Sequence, residues 1–318
     1  LMDTLRRFFF VFPAVLAVLA ISARTASAQN FAEGYVVLDA TTGHVLDGGN
    51  VDKKLQVASL TKIATAMVVL DWAQATKADL TQLATVPQQA AALGQDPVGL
   101  QPGDQMTLRD LLYSALMQSD NTAALTLAVH VGQTLPRAAD VSAEYAFVAQ
   151  MNALARKLKM ERTLFLNPHG LDNIKGRLPY STASDMARLS AYAMARSGFR
   201  FYVSQKEREV TIQHADGTQS RYMLRNTNEL LGVNNIDGVK TGTTAHAGEC
   251  LIISSARAPE SVKNGDTYII TPRRLIVVVL GATDRYKAAG GLMNRGWQLY
   301  DQWEAKGRPM KKDEGLVL

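Results

Sequence analysis

From Leu60 to Leu70 the chain is apolar on nearly every side of a helix, with Ile63, Ala64, Ala66, Met67, Val68, Val69 and Leu70 leaving no polar face. A helix apolar all round is a buried helix, not a surface one. Burial fixes whatever the segment carries on a rigid element. At its start it carries Ser59-Leu60-Thr61-Lys62. Side chains three residues apart share one helical face, so Lys62 is placed to take a proton from Ser59. A helix N-terminus adds unpaired N–H groups and partial positive charge, which favour a developing alkoxide or oxyanion. Serine alone is a poor nucleophile near neutral pH, and an adjacent base activates it. The same residues also fit a plain helix start, with Ser59 as N-cap and Lys62 solvated. The spacing alone does not separate the two readings.

The rest of the chain supplies the layers such a helix needs. Tyr35-Val36-Val37-Leu38-Asp39, a turn at Thr41-Thr42-Gly43 and a return at His44-Val45-Leu46 read as a hairpin. Residues 75 to 105 read as mixed and loop-rich. Thr107 reads as the N-cap of a helix to Met117, which breaks at Gln118-Ser119-Asp120-Asn121. A second apolar helix follows from Thr122 to Val131. Ser119 and Asn121 thus lie on a tight connection between buried helices, either a plain turn or a place where polar groups are held toward a cleft. Phe147 to Lys159 reads as an amphipathic helix, Asn167-Pro168-His169-Gly170-Leu171-Asp172 as a turn, and Thr182 as another helix cap.

Asp237-Gly238-Val239-Lys240-Thr241-Gly242-Thr243-Thr244 reads as a turn leading into a strand. Gly242 permits close approach of a ligand backbone. Lys240, Thr241 and Thr243 are a cation and two hydroxyls suited to a carboxylate. An ordinary solvated strand end has the same composition. Strand runs at Cys250 to Ser255 and Leu275 to Leu280, and a helix from Leu292 to Trp303, complete the chain.

Composition excludes several classes. The net charge is +5 over 318 residues, without the clustered footprint of a nucleic-acid binder. The five histidines show no ligand spacing, so no metal site and no cofactor is expected. The lone Cys250, in an apolar run, reads as a buried strand residue and rules out an internal disulfide. Arg6 and Arg7 precede an apolar run from Phe8 to Ile21, and Ala26-Ser27-Ala28 follows. This pattern reads as a signal peptide over residues 1–28, cleaved after Ala28; the competing reading is an uncleaved anchor.

In chain order the candidates are S-x-x-K at Ser59, S-x-N at Ser119 and K-T-G at Lys240. The set resembles the penicillin-binding protein and active-site-serine β-lactamase superfamily, whose signatures come in this order. It is most similar to the low-molecular-mass D-alanyl-D-alanine carboxypeptidases, with further likeness at Asn167-Pro168-His169-Gly170-Leu171 and from about Gly34 to Trp303. The resemblance implies an α/β (α+β) class and the transpeptidase fold of that superfamily: an antiparallel sheet flanked by helices, with a helical subdomain. The early hairpin, the late strands and the C-terminal helix fit one sheet built from both chain ends.

The resemblance also implies roles. Ser59 is the acylated nucleophile and Lys62 its base. Ser119 relays a proton to the leaving amine, and Asn121 bonds the substrate amide. Lys240 and Thr241, beside Gly242, receive the terminal carboxylate, with Arg285 as a further candidate. The N–H groups of Ser59 and Thr243 form the oxyanion hole. The partners implied are peptidoglycan stem peptides and, as covalent inhibitors, β-lactams. Two departures stand out. Class A β-lactamases place a glutamate four residues before the asparagine matched by Asn167, where this chain has Thr163. Many relatives add a β-rich domain and an amphipathic anchor after the catalytic domain, whereas here Lys306-Gly307-Arg308-Pro309 follows soon after Trp303. The expectation is therefore an exported, soluble catalytic domain over 29–303 with a short polar tail over 304–318 and no stable membrane anchor. Its activity is that of a serine D-Ala-D-Ala carboxypeptidase. The alternatives are a D,D-endopeptidase that cuts cross-links and, from a different class, a non-catalytic wall-binding protein.

Overall fold

The computed structural model describes residues 31–172, 176–310 and 315–316. The signal peptide expected over 1–28 lies outside the described residues. The elements run in order β1 (Gly34–Asp39), β2 (Val45–Gly49), a 3₁₀ turn (Ala58–Thr61), α1 (Lys62–Thr76), β3 (Leu83–Thr85), β4 (Gln105–Thr107), α2 (Leu108–Tyr113), a π turn (Ser114–Gln118) and α3 (Asn121–Thr134). They continue with α4 (Ala143–Lys157), α5 (Ala183–Met194), α6 (Ser197–Val203), β5 (Glu207–Gln213), β6 (Gln219–Arg225), β7 (Ile236–Thr244), β8 (Gly248–Asn264), β9 (Thr267–Ala282) and α7 (Arg285–Ala305).

The main sheet joins both ends of the chain in the order β2-β1-β9-β8-β7, antiparallel throughout. Successive strand residues face opposite sides, so the apolar runs of β1, β8 and β9 feed two cores at once. Val37, Leu251, Ile253, Val277 and Val279 face α7 and its Trp297, Tyr300 and Trp303. Val36, Leu38, Ile252, Ile276, Val278 and Leu280 face the other helices. That double cover explains why β9 reads Leu-Ile-Val-Val-Val-Leu without alternation. On the helical side α1 is enclosed, with every residue from Lys62 to Val69 buried. A smaller sheet, β3-β4-β5-β6, borders the helical region.

The expected caps form. Thr107 Oγ1 accepts from Asp110 N at 3.0 Å, and Thr182 Oγ1 from Asp185 N at 3.1 Å. Three features differ from the sequence reading. Residues 83–85 and 105–107 pair as short strands within a stretch read as loop. α7 begins at Arg285, capped by Asp284, seven residues earlier than its apolar pattern implied. β8 and β9 run past the sheet as a two-stranded ribbon closed by a turn near Gly265, with Val262, Tyr268, Ile269 and Ile270 more than half exposed. Glu304 and Ala305 complete α7, and Gly315 pairs with His44.

The two halves of β9 are expected to respond differently to truncation. Ile276→Ala, at a wholly buried position, should cost about 2–5 kcal/mol of unfolding free energy in a denaturant titration. Ile270→Ala, at 63% exposure on the ribbon, should stay within about 0.5 kcal/mol of the parent.

Candidate active site

The 3₁₀ turn that carries Ser59 is wedged between β7 and the Asn167–Leu171 turn. Gly242 of β7 lies so close that a Cβ there would stand 3.0 Å from Ser59 N and 3.1 Å from Val57 O. On the other side, a Cβ on Gly170 would fall 2.0 Å from Ala58 O, and Gly170 itself has φ +86°. Only glycine fits that place. Ala58 takes a left-handed φ of 48°, a conformation a non-glycine residue keeps only when its surroundings impose it. Ser59 is thus not the N-cap of α1, which is Thr61. It sits one turn earlier, with its backbone N–H against the sheet edge.

Lys62 is the first residue of α1 and is wholly buried. Its Nζ lies 2.9 Å from Ser59 Oγ, 2.7 Å from Asn121 Oδ1 and 2.7 Å from His169 O. The Asn121 amide is oriented from its other end, where Nδ2 donates to Gly94 O at 3.2 Å and Gln95 Oε1 at 3.4 Å. Asn121 Oδ1 and His169 O only accept. A neutral amine has two N–H bonds, and these two oxygens take both. Its lone pair is then left for the Ser59 hydroxyl. Burial also drives Lys62 toward the neutral form, lowering it to about 7 against an opposing pull from Asp120. The solvated first-turn lysine of the alternative reading is excluded by this geometry.

Ser59, Ser119, Thr241, Gly242, Thr243 and Arg285 line one cleft of about 560 Å³. Ser119 follows the π turn with φ 66°, and its side chain faces the cleft from the helical region. Arg285 is no solvated surface cation. Its Nη1 donates to Gly242 O at 3.0 Å and Cys250 O at 3.3 Å, which fixes it beside β7. Cys250 is opposite Gly242 in the ladder, and burial raises its thiol to about 11, as suits a packed strand residue.

Two further candidates are buried beside the cleft. Lys240, on the same strand face as Gly242, is 1% exposed, and its Nζ donates to Thr241 O at 2.9 Å. Strand alternation points it inward, and desolvation with the nearby Lys62 and Arg285 charges lowers it well below the ordinary lysine range. Asn121 is likewise buried, its amide committed to Lys62 and to the loop at Gly94 and Gln95. Gln95, Asp96, Pro97, Gln118, Thr227 and Tyr286 also line the cleft. No motif marks them. Thr227 is held by Thr241 Oγ1 at 2.6 Å and by Tyr286, whose hydroxyl donates to Thr227 O at 2.7 Å. Thr163, at the position a class A lactamase would give to glutamate, bonds Asp185 at 2.8 Å. Among the described residues, no group of three or more His, Cys, Asp or Glu is placed to hold a metal ion, and no helix is long and apolar enough to cross a membrane.

A family model described as D-alanyl-D-alanine carboxypeptidase matches residues 21–283. The chain belongs to that family. It is 35% identical to D-alanyl-D-alanine carboxypeptidase DacC of Escherichia coli over 90% of this chain and 65% of that protein. It is 34% identical to a D-alanyl-D-alanine endopeptidase of Pseudomonas aeruginosa over 71% of this chain and 67% of that one. The chain therefore spans about two thirds of the length of these curated relatives. Among solved structures, a penicillin-binding protein of Listeria monocytogenes in its cefotaxime-bound form superimposes with a TM-score of 0.65 at 26% identity, over 84% of this chain and 97% of that one. The fold is that of the penicillin-binding D,D-peptidases, as the ordered motifs implied.

The family turn Asn167–Leu171 carries a testable electrostatic signature. Desolvation, reinforced by Lys62, lowers the buried His169 imidazole to about 3. Side-chain NMR should show His169 neutral throughout the range of about pH 5–8 in which a free histidine titrates. A midpoint near the free value would mean that the turn is open to water.

Proposed function

We propose that the chain is a serine D,D-carboxypeptidase that removes the terminal D-alanine from peptidoglycan stem peptides through an acyl-enzyme on Ser59. The observation that carries this reading is the Lys62 amine, buried, lowered to about 7 and 2.9 Å from the Oγ of Ser59, which lines the cleft. Ser59 Oγ attacks the carbonyl of the penultimate residue, and its proton passes to Lys62. The N–H groups of Ser59 and Thr243 receive the oxyanion. Removing one such donor typically costs about 100–1000-fold in rate. Ser119 passes the proton on to the leaving amine as the C–N bond breaks. Water then hydrolyses the ester, and Ser59 regains its proton.

β7 is the edge of the main sheet, so its free backbone groups suit an extended peptide. Thr241, Thr243 and Arg285 supply hydroxyls and a cation to the terminal carboxylate. Lys240 adds charge from the Gly242 face of the strand, and Asn121 aims Lys62. The same acyl transfer, with a cross-linking amine as leaving group, describes a D,D-endopeptidase. The 34% identity to an endopeptidase supports keeping that second reading. We further propose export outside the cytoplasm with residues 1–28 as the cleaved signal, and a catalytic domain that takes up the chain to Trp303.

Ser59→Ala is expected to abolish covalent labelling by fluorescent penicillin while leaving a cooperative melt. Labelling that persists would sink the proposal. In the parent, Lys62 acts only once deprotonated, so the labelling rate should rise with pH through about 7 and fall roughly tenfold per unit below it. Thr163 offers a hydroxyl in place of that glutamate, and the Asp185 carboxylate behind it is buried and taken up by Thr163, Arg162 N and Arg188, so it is not free to activate a deacylating water. The penicilloyl ester should then persist, whereas rapid steady turnover of penicillin would contradict this site. Parallel assays on a free pentapeptide and on purified cross-linked muropeptide decide between the two leaving groups.

A further inference from the structure

The cleft wall formed by Gln95, Asp96 and Pro97 is fastened to the Ser119–Asn121 turn. Asn121 Nδ2 donates to Gly94 O and Gln95 Oε1, and Asn121 N donates to Gln95 O at 3.3 Å. This fastening brings Asp96 against Asp120, the middle residue of the turn. Asp120 is wholly buried. Its Oδ1 caps α3, accepting from Ala123 N at 2.8 Å, but its buried Oδ2 has no hydrogen-bond donor. The Asp96 carboxylate is itself fixed, with Oδ1 accepting from Gly99 N at 3.0 Å. Like charges brought together raise the pKa of one of them, and a proton on Asp120 Oδ2 gives that orphan oxygen its bond. The charged groups that face Asp120 are Asp96 from the loop and Lys62 from α1.

We propose that Asp120 carries a proton on Oδ2 that it donates to the Asp96 carboxylate, and that this bond positions the site by strapping the 94–97 wall to the catalytic turn and keeping the charge beside Lys62 small. This inference rests on the reading of Lys62 as the base for Ser59. Burial, with the Asp96 charge, raises the Asp120 carboxyl to about 7. Below that pH the pair holds its proton, Asp120 is neutral, and Lys62 has little counter-charge to favour its ammonium form. Remove the Asp96 charge and Asp120 ionises more readily. Its carboxylate then stabilises protonated Lys62, and the base is lost at pH values where the parent still has it.

The test compares the parent with Asp96→Asn and Asp120→Asn in two measurements. In the pH profile of fluorescent penicillin labelling, Asp96→Asn should move the acid limb upward by about one pH unit. Asp120→Asn, a permanently neutral mimic of the protonated carboxyl, should leave the limb in place or move it down. An unmoved limb in Asp96→Asn overturns the inference. The second measurement does not depend on acylation: amide exchange of residues 93–99, corrected for intrinsic rates. In the parent, exchange should quicken severalfold between about pH 6 and about pH 9 as the Asp120 proton leaves. In Asp96→Asn the carboxamide still donates to Asp120, so exchange should stay flat. The same pH response in both proteins overturns the pair. Failure of the parent to label at any pH overturns the acyl-enzyme reading instead, and the exchange measurement then judges the pair alone.

Discussion

The amine of Lys62 is where the parts of this fold meet. A lysine with no access to water must shed its charge or find compensation, and here it is met chiefly by neutral oxygens: an asparagine side chain from α3 and a backbone carbonyl from the Asn167–Leu171 turn. Each comes from a different segment, and Ser59 and Lys62 share a third. The geometry exists only while all three segments are docked. That is why a turn with a strained Ala58 and a glycine pressed onto it persists next to Ser59. The packing that holds those backbones together also drives Lys62 toward its neutral form.

Around that centre the sheet and the helices divide the labour. The sheet contributes backbone. β7 places Gly242 against Ser59 N, leaves Thr243 exposed at the cleft and gives Arg285 two carbonyls to bind. The helices contribute side chains of controlled protonation. Lys62, Asp120 and His169 are all buried within one region, and desolvation moves each toward its neutral form. A rigid row of dipoles thus faces a set of titratable groups whose charges are held low, which suits a site where charge should appear only as bonds change.

Much of this was legible in the chain because it is local. The buried α1 followed from apolar residues on every side, the caps at Thr107 and Thr182 from their hydroxyls, and the order of the three motifs from spacing alone. What escaped was set by distant partners. The place of Arg285 at the start of α7 was hidden because Gly290 and Gly291 interrupt its first turns. Glycine is a poor helix former, yet Asp284 caps the helix ahead of them and the sheet supports it. The burial of Lys240 was likewise hidden, because the sequence tells which strand face it shares, not which face is buried. The ribbon beyond Ser255 has Pro259 and a mixture of charges, so nothing in it announced a continuation of β8. Asp96 lay in a stretch read as plain loop, and only the fold brings it to Asp120.

The order of strands in the main sheet has a consequence for the making of the protein. β1 lies between β2 and β9, so one of the earliest described segments waits for one of the last. Ser59 and the strand that carries Gly242 are likewise separated by most of the folded chain. Contacts of such sequence span close late, because the entropy of the intervening loop must be lost first. A chain emerging from its N-terminus therefore holds its serine and lysine well before it holds an oxyanion site or a carboxylate site. Closing the site thus depends on the docking of β7 against the 3₁₀ turn, a contact between segments far apart in the chain.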